Sequence, residues 1–489
     1  MTNPLVAGMA ANANVAYTFN GATSNASTLD ACVNYFGSGA ALRQRSDADV
    51  IDLFSKAFYQ DRLVALKTLF YIRDVREGQG ERKTFRTAIN WLAKNYSDIL
   101  VKNLENIALF GRWDDLYSLV GTPAEDAAFK LIAKQLRQDA VDAADGKPIS
   151  LLAKWLKSVN TSSAESRNLG YKTAKALGVT PKQYRKALSA LRKHIDVIEV
   201  KLSKKQFDQI DYEKVPSKAS MLYRKAFNKR DGERYRKYLG AVEKGEAKMN
   251  AAVLYPYDIV RPIENGEHNA TQLKALDLAW KNQPNWLAEN PHKGLVVADV
   301  SGSMYGLPIL VSLSLAIYFA ERNVGPFQNC FMTFSAKPKL QFVTGQTIAE
   351  KVRSLNRTGW DMNTDIQAAF DLMLSTAVKG NVKPEDMPSV LYIISDMQFD
   401  ACTSNRNATN FATIKSKYAA AGYAMPKLVF WNVNASNSDY PVTVNDQGVC
   451  LVSGCSPSIL KSVLAAKAFT PTDIMLETLN KPRYDVVKV

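Results

Sequence analysis

The sequence predicts two architectures in one chain: an all-α helical-repeat region, followed by an α/β domain built on a mostly parallel, doubly wound sheet. From about residue 46 to residue 290, apolar residues recur at three- and four-residue spacing, which is typical of amphipathic helices. From about residue 291, short apolar runs typical of buried strands alternate with helix-like runs. In addition, oxygen-bearing side chains directly follow two of those strand-like runs. These observations predict a helical scaffold joined to a sheet that carries a polar site.

The N-terminal residues differ from the remaining chain in composition. Residues 1–30 are rich in Asn, Ala, Ser and Thr and are nearly free of charge. We therefore expect residues 1–40 to form a loosely ordered segment, or one pinned to the surface of the body. The first 20 residues lack the regions of a secretory signal peptide, and no stretch supplies the ~20 apolar residues of a membrane span. Five scattered cysteines form no disulfide framework, so we expect a cytoplasmic protein with no membrane partner.

Residues 41–290 make up the predicted helical domain. Breaks that contain glycine, at 78–80, 111, 121–123 and 146–148, divide it into helices of about 10–20 residues. Helices of that length in short succession suggest antiparallel pairs stacked as a solenoid, although the sequence has no clean fixed period.

A basic insert at residues 172–248 lies within this helical domain. It holds 21 Lys and Arg against 9 Asp and Glu, a net charge of +12 in a chain whose formal net charge is +15. Such an excess is typical of a surface that contacts nucleic acid, although a charge run is more often a solvated helix face. Tyr223, Phe227, Tyr235 and Tyr238 interleave with the cations, and their rings either stack unpaired bases or point into the core. The candidate RNA-binding residues, chosen on charge, are Lys182, Arg185, Lys186, Arg192, Lys193, Arg224, Lys225, Lys229, Arg230, Arg234, Arg236 and Lys237.

A second basic cluster surrounds the glycine pair Gly78 and Gly80. One interpretation is a phosphate site in which the glycine amides approach an anion. The other is a helix end, a turn and a new helix, whose arginines pair with neighbouring acids. Gly-x-Gly without a preceding strand is a poor nucleotide signature, so the second interpretation is favoured. The arginines are Arg73, Arg76, Arg82 and Arg86, and the acids are Asp74, Glu77 and Glu81.

The α/β domain is predicted to span residues 291–489. Alternating strands and helices predict a mostly parallel sheet covered on both faces. Open parallel sheets hold ligands outside the carboxyl ends of their strands. The strand-like runs are 295–298, 330–334, 390–394 and 427–433, and the helix-like runs are 308–322, 363–378, 408–421, 456–468 and about 472–480.

The polar residues at these strand ends predict a metal site. Asp299, Ser301 and Ser303 form an Asp-x-Ser-x-Ser sequence directly after the first strand-like run, and Asp396 directly follows the third. Alone, that sequence also fits a serine-capped turn, but Thr364 and Asp396 at the ends of later elements favour a metal. Carboxylate and hydroxyl oxygens are the ligands of hard divalent cations, so we predict one Mg²⁺ site, or a site for a similar ion. Its residues are Asp299, Ser301, Ser303, Thr364 and Asp396, with Asp365 and Asp400 near enough to compete as outer groups.

At these residues the domain resembles the von Willebrand factor A domain and its metal-ion-dependent adhesion site. The resemblance implies that Ser301, Ser303 and Thr364 can bind the metal directly. It implies that Asp299 and Asp396 act directly or through water. It also implies a partner protein whose carboxylate completes the metal shell.

The helical region carries short sequence segments by which it resembles the Ro autoantigen (TROVE-module) class of RNA-binding proteins. It resembles more closely an uncharacterised family with the same domain layout. The resemblance implies a closed ring of HEAT-like repeats that admits single-stranded RNA ends and carries structured small RNAs on its basic outer face. The insert 172–248 has no motif-by-motif counterpart in that ring. These segments are RDVREGQGER at 73–82, GRWDDL at 111–116, AKWL at 153–156 and LYPYDIV at 254–260.

We therefore expect a non-catalytic RNA-binding scaffold or chaperone for small or misfolded RNA, with a metal-dependent docking site. The alternative is a protein–protein adaptor whose metal engages an acidic residue of a partner, with RNA incidental. An enzyme is disfavoured, because the three histidines show no His-Glu-x-x-His spacing and the metal site lacks an obvious general base.

Overall fold

The computed structural model describes residues 13–288, 293–333, 337–356, 365–400, 409–466 and 469–489. Within these ranges, helices make up the first part of the chain, and a six-stranded sheet with neighbouring helices makes up the second. The predicted layout, a helical region followed by an α/β region, is therefore confirmed. None of the helices in these ranges has both the length and the apolar character that a membrane crossing needs.

The first part consists of helices joined by short turns, and local sequence signals set their ends. Thr180 and Gln183 form a reciprocal capping box, with Pro181 in the first helical position. Gly121 and Gly146, at two of the expected breaks, have φ angles of +82° and +71°. The helices are α1 (Ala31–Ser38), α2 (Asp47–Gln60), α3 (Arg62–Arg73), α4 (Lys83–Asn95), α5 (Ser97–Lys102), α6 (Leu104–Phe110), α7 (Glu125–Ala144), α8 (Leu152–Trp155), α9 (Ala164–Ala176), α10 (Pro181–His194), α11 (Ile198–Ser203), α12 (Ser217–Arg230), α13 (Gly232–Glu243), α14 (Pro256–Glu264) and α15 (Ala270–Lys281).

The sheet of the second part has the strand order β5-β4-β3-β6-β7-β8. The pairs β3–β4, β3–β6, β6–β7 and β7–β8 are parallel, and β5 pairs antiparallel with β4 at one edge. The strands are β3 (Gly294–Ala298), β4 (Cys330–Thr333), β5 (Leu340–Phe342), β6 (Val390–Ser395), β7 (Lys427–Asn432) and β8 (Val449–Ser453). The helices are α16 (Leu307–Arg322), α17 (Ile348–Asn356), α18 (Ile366–Lys379), α19 (Asn410–Ala420), α20 (Leu460–Ala465) and α21 (Pro471–Leu479).

Both faces of the central strands are covered. Every residue of β3 and β6 is buried, although successive side chains of a strand point to opposite faces. Complete burial on both faces is typical of a parallel sheet between layers of helices. The four strand-like runs seen in the sequence are therefore strands, and the sheet adds two strands that the sequence analysis did not include, β5 and β8.

The described part of the N-terminal segment differs from the expectation of loose order over residues 1–40. It forms a hairpin of β1 (Val15–Tyr17) and β2 (Thr23–Asn25), followed by α1. Helix α1 packs on β8, where a side chain at Gly37 would lie 3.1 Å from Leu451 Cβ. Hydrogen bonds and apolar burial therefore order this segment despite its uncharged, polar composition. Residues 1–12 lie outside the described ranges.

Candidate cation-binding site

The predicted site lies at the topological switch point of the sheet, between β3 and β6. After β3 the chain continues to β4 on one side, and after β6 it continues to β7 on the other side. The carboxyl ends of β3 and β6 lie side by side, because Ala298 pairs with Ile394. Asp299 and Asp396 directly follow these strands, so the topology brings them to one edge of the sheet. A crevice of this kind is where open α/β sheets bind ligands.

Asp299 fixes the turn that carries the two serines. Its side chain is completely buried, and its Oδ1 accepts a hydrogen bond of 2.9 Å from the Ser301 amide. Its Oδ2 accepts a hydrogen bond of 2.5 Å from the Ser395 hydroxyl. The hydroxyl oxygens of Ser301 and Ser303 lie 3.2 Å apart. Two hydroxyls are thus held together beside a buried carboxylate.

Asp396 brings a second buried carboxylate to the same edge. Its Oδ1 accepts a hydrogen bond of 3.1 Å from the Gln398 amide, and its Oδ2 is buried without a hydrogen bond from any described residue. Asp439, in the loop before β8, has the same arrangement: Gln398 Nε2 donates to its Oδ1 at 3.0 Å, and its Oδ2 has no described partner. A buried carboxylate oxygen without a partner is costly, and a bound cation would remove that cost.

The pKa shifts reflect the same crowding of carboxylates. Burial, and then the charge of Asp396, raises the pKa of Asp299 to about 6, against opposing hydrogen bonds from Ser301 and Ser395. Burial also raises the pKa of Asp396, while the Gln398 amide and the Ser303 hydroxyl lower it. The two carboxylates interact because they follow the paired strands β3 and β6. Neighbouring buried carboxylates of this kind favour either a proton or a metal ion.

Hydroxyls and two carboxylates make this donor set suitable for a hard cation. The described residues contain no group of three or more His, Cys, Asp and Glu side chains arranged to hold a metal ion. A cation here would therefore depend on the serine hydroxyls as well as on Asp299 and Asp396. Thr364, the remaining predicted ligand, lies outside the described residues. Asp365, expected as an outer group, caps α18 by accepting from the Ala368 amide at 2.8 Å.

Three residues near the site were missed in the sequence analysis: Ser395, Gln398 and Asp439. Ser395 and Gln398 flank Asp396, so proximity in sequence was an available signal. Asp439 lies 43 positions after Asp396 in a loop, and no motif marks it.

The N-terminal hairpin braces the loops that carry Asp396 and Asp439. Thr18 Oγ1 donates to the Phe399 carbonyl at 2.7 Å, and the Phe19 amide donates to Gln398 Oε1 at 2.7 Å. Ser24 Oγ donates to the Tyr440 carbonyl at 2.8 Å. Residues far apart in sequence thereby fix the rim of the site.

The basic insert divides into exposed and structural cations. Lys182, Arg185, Lys186 and Lys193 are exposed on α10. Arg185, Lys186 and Lys193 line a groove of about 710 Å³, together with Lys204 and without any acidic side chain among the lining residues. Of the candidate RNA-binding residues on α12 and α13, those that are exposed are Lys225, Lys229, Arg230, Arg236 and Lys237.

Three of the predicted RNA-binding cations make hydrogen bonds within the fold, and one of them, Arg192, also lines the groove. Arg192 donates to the carbonyls of Ala153 and Leu156, both at 2.8 Å. Arg234 donates to Asp231 at 2.9 Å, and the half-buried Arg224 donates to the Met221 carbonyl at 2.6 Å. The Arg192 guanidinium thus supplies donors to carbonyls at the end of α8, a role that sequence spacing does not reveal.

Of the interleaved aromatic residues, Phe227 and Tyr235 point into the core, so the base-stacking interpretation is wrong for these two. Phe227 is completely buried, and Tyr235 is 1% exposed. Tyr238 stacks on Tyr212 with ring centroids 5.3 Å apart, and the half-buried Tyr223 packs on Phe227. Four apolar rings at helical spacing serve packing of α12 against α13.

Around Gly78 and Gly80, the expected helix end and restart is confirmed, since α3 ends at Arg73 and α4 begins at Lys83. The Gly80 amide donates to the Asp74 carbonyl at 3.0 Å and is therefore not free for an anion. The expected acid partners are wrong. Arg73 and Arg86 both pair with Asp115, at 2.7 Å, while Asp74 pairs with Arg483 and Glu81 pairs with Arg43.

The fold and this site define a helical protein with an α/β domain that carries buried carboxylates at its strand-crossover edge. The chain belongs to the DUF2828 family, described as a domain of unknown function, whose model matches residues 18–137 and 149–290. A second domain of unknown function, DUF7788, matches residues 293–484, which include the candidate site. An uncharacterized protein of Acanthamoeba polyphaga mimivirus is 31% identical over 513 residues, covering 96% of this chain and 87% of that protein.

Proposed function

We propose that the chain is a non-catalytic docking protein that holds Mg²⁺, or a similar hard divalent cation, and engages an acidic residue of a partner protein through it. The observation that carries this proposal is the buried Oδ2 of Asp396, which has no partner among the described residues. It lies beside the buried Asp299 at the crossover of the sheet. The six-strand order with one antiparallel edge strand supports the resemblance to a von Willebrand factor A domain.

The residues divide into ligands and supports. Ser301, Ser303 and Asp396 would offer oxygens to the cation, and Thr364 remains a proposed ligand from the sequence. Asp299 would hold the serine turn through its hydrogen bond from the Ser301 amide. When bound, the cation supplies a positive charge, and a carboxylate of the partner protein completes its coordination shell. Gln398 would keep Asp396 and Asp439 in place through its two hydrogen bonds.

The test is cation binding by the double variant Ser301→Ala/Ser303→Ala, measured by calorimetric titration with Mg²⁺ or Mn²⁺. We expect affinity to fall at least about tenfold, because the loss of two oxygen ligands exceeds the usual cost of losing an outer-shell partner. The same titration with the double variant Ser375→Ala/Ser416→Ala serves as the control. Those serines bond only to carbonyls of their own helices. Equal affinities of the two double variants would contradict the proposal.

A second candidate function is an RNA-binding scaffold or chaperone for small or misfolded RNA, as the resemblance to the Ro class implies. The groove that contains Arg185, Lys186, Lys193 and Lys204 supports it, because cations without acidic neighbours suit phosphates. The closed ring of HEAT-like repeats is part of this second proposal. The buried and unpaired state of the four described cysteines supports a cytoplasmic setting for either function.

RNA binding is tested with the triple variant Arg185→Gln/Lys186→Gln/Lys193→Gln in a filter-binding series with single-stranded RNA over increasing salt. Each lost phosphate contact should reduce the slope of log affinity against log salt by about 0.7, so we expect a loss of about 2 in slope. The matched control is Lys94→Gln/Lys130→Gln/Lys415→Gln, which removes the same charge from exposed positions elsewhere. Identical slopes for the two triple variants would exclude the groove as the RNA site.

A further inference from the structure

A second charged cluster, remote in sequence from the candidate cation site, lies at the start of α4. We call Arg82, Arg86, Arg112 and Lys157 the arginine cluster. Arg86 and Arg112 pair with Asp114, which is 6% exposed, and the charges of Arg82 and Lys157 interact with it. Neither proposed function above uses these residues, and their bonds to Asp114 and Asp115 leave part of their positive charge unmatched.

Hydrogen bonds fix the guanidinium groups of Arg86 and Arg112. Arg112 binds Asp114 through two nitrogens, Nε to Oδ1 at 2.8 Å and Nη2 to Oδ2 at 2.7 Å. Arg86 Nε donates to Asp115 Oδ1 at 2.7 Å, and its Nη2 lies 3.2 Å from Asp114 Oδ2 without hydrogen-bond geometry. The Arg86 amide donates to the Arg82 carbonyl at 3.0 Å, which places Arg82 one turn earlier.

Positive charge exceeds negative charge at this point of the molecule. With the buried Arg73, five cations face two carboxylates, Asp114 and Asp115. Arg82 is exposed, and its side chain has no hydrogen bond or ion pair with any described residue. Partial burial, followed by the charges of Arg112, Arg86 and Arg73, lowers the pKa of Arg82. An anion bound here would relieve that repulsion between like charges.

Two further contacts restrict Arg112 and the backbone at Lys157. The Arg112 guanidinium lies 4.0 Å from the centroid of the Trp155 ring, which restricts its plane. The Lys157 amide donates to Tyr117 Oη at 3.2 Å, so the backbone at Lys157 is tied to the turn that carries Asp114. Cations that are already in place lose little side-chain entropy when an anion binds.

We propose that the arginine cluster binds a phosphomonoester group, either at the 5′ end of an RNA or on a free nucleotide. Such a group carries about −1.5 to −2 charges at neutral pH, which balances the excess better than the single charge of a phosphodiester. Its terminal oxygens suit the fork geometry of arginine. Only the RNA source rests on the second candidate function; the phosphomonoester site stands without it.

The test compares ligands with and without the phosphate, using the full-length protein. Fluorescence anisotropy measures an oligoribonucleotide with a 5′-phosphate against the same oligoribonucleotide with a 5′-hydroxyl, and calorimetry compares AMP with adenosine. In at least one pair we expect the phosphorylated ligand to bind about tenfold more tightly, equivalent to about 1.4 kcal/mol. The variant Arg82→Gln should lose most of this preference.

Lys94→Gln is the matched control, since Lys94 is an exposed cation of the same helix α4. It should keep the full preference for the phosphorylated ligand. Because the Arg82 side chain is exposed and unpaired among the described residues, Arg82→Gln should fold normally, which circular dichroism and thermal melting check.

Each outcome either identifies the source of the phosphomonoester or overturns the proposed site. A preference for AMP alone supports the site with a free nucleotide as its ligand, and a preference for the 5′-phosphorylated RNA alone supports it with an RNA end. If no RNA binds at any salt concentration, the second candidate function fails, and the comparison of AMP with adenosine still decides the site. No preference in either pair, or a preference that survives Arg82→Gln, overturns the proposal.

Discussion

The ionised side chain of Asp299 lies in an environment that destabilises a negative charge. It is fully buried and faces the charge of Asp396, so its pKa rises to about 6 even though two hydrogen bonds stabilise the charged form. A side chain with this environment is stable either protonated or next to a cation. In the proposed cation site, this residue would link cation binding to pH.

The pH dependence of stability follows from the direction of this shift. Because the folded state binds the proton more tightly than the unfolded chain, Asp299 destabilises the cation-free protein as pH rises. Between about pH 4 and about pH 6 its contribution reaches about 3 kcal/mol. Bound Mg²⁺ requires the ionised carboxylate. We therefore expect Mg²⁺ to raise the melting temperature more at about pH 7 than at about pH 5, as measured by thermal scans with Mg²⁺ or with EDTA.

Asp299→Asn is the control for this prediction. The amide keeps the size of the side chain but does not titrate, so the difference between the two pH values should become smaller, while Asp396 still titrates. A rise in melting temperature with Mg²⁺ that is equal at both pH values in the unaltered protein would contradict the linkage.

Neighbouring cations show how much a residue's role depends on its surroundings. Lys193 and Arg192 adjoin in sequence, carry the same charge and line the same groove, yet Lys193 is exposed while Arg192 is half-buried and donates to loop carbonyls. Charge and spacing identified both as candidates, but only the packing of α8 against α10 separates them.

Among the elements, the sequence predicted those with long apolar patterns. The central strands β3 and β6 and the helices α16 and α21 lie within a residue or two of their expected limits. Strand β5 was missed because it has three residues and lies at an exposed edge, where pairing with β4 rather than burial defines it. Strand β8 is a five-residue apolar run between Gly448 and Gly454, a pattern too short to separate from a buried turn.

At the scale of the whole molecule, the segments at both ends of the chain contact the part that is distant from them in sequence. The N-terminal hairpin and α1 pack on the α/β part, and the C-terminal residues return to the helical part. Arg483 donates to the fully buried Asp74 at 2.5 Å and 2.8 Å, and the Lys488 amide donates to Asn103 Oδ1 at 3.0 Å. The two parts are therefore expected to stabilise each other.

The Arg483–Asp74 pair provides a test of this coupling. Arg483→Leu leaves Asp74 with fewer hydrogen bonds in a buried position, so we expect a loss of about 2–4 kcal/mol in the free energy of unfolding. Urea unfolding followed by circular dichroism measures it. The control is Lys67→Ala, which breaks the neighbouring Lys67–Asp485 pair, where Asp485 is exposed. That pair should contribute less than about 1 kcal/mol, and an equal loss in both variants would contradict the expected role of Arg483.

The sequence by itself determined the order of the two architectures, the main strands and helices, and four residues that meet at one edge of the sheet. These features are local, because apolar periodicity and a short motif after a strand are read along the chain. Only the tertiary structure brought Asp439 and the N-terminal hairpin to that edge, turned two aromatic residues of the basic insert inward, and paired Asp115 with Arg73 and Arg86. Contacts between distant residues depend on how whole elements pack, and neither composition nor spacing specifies that packing.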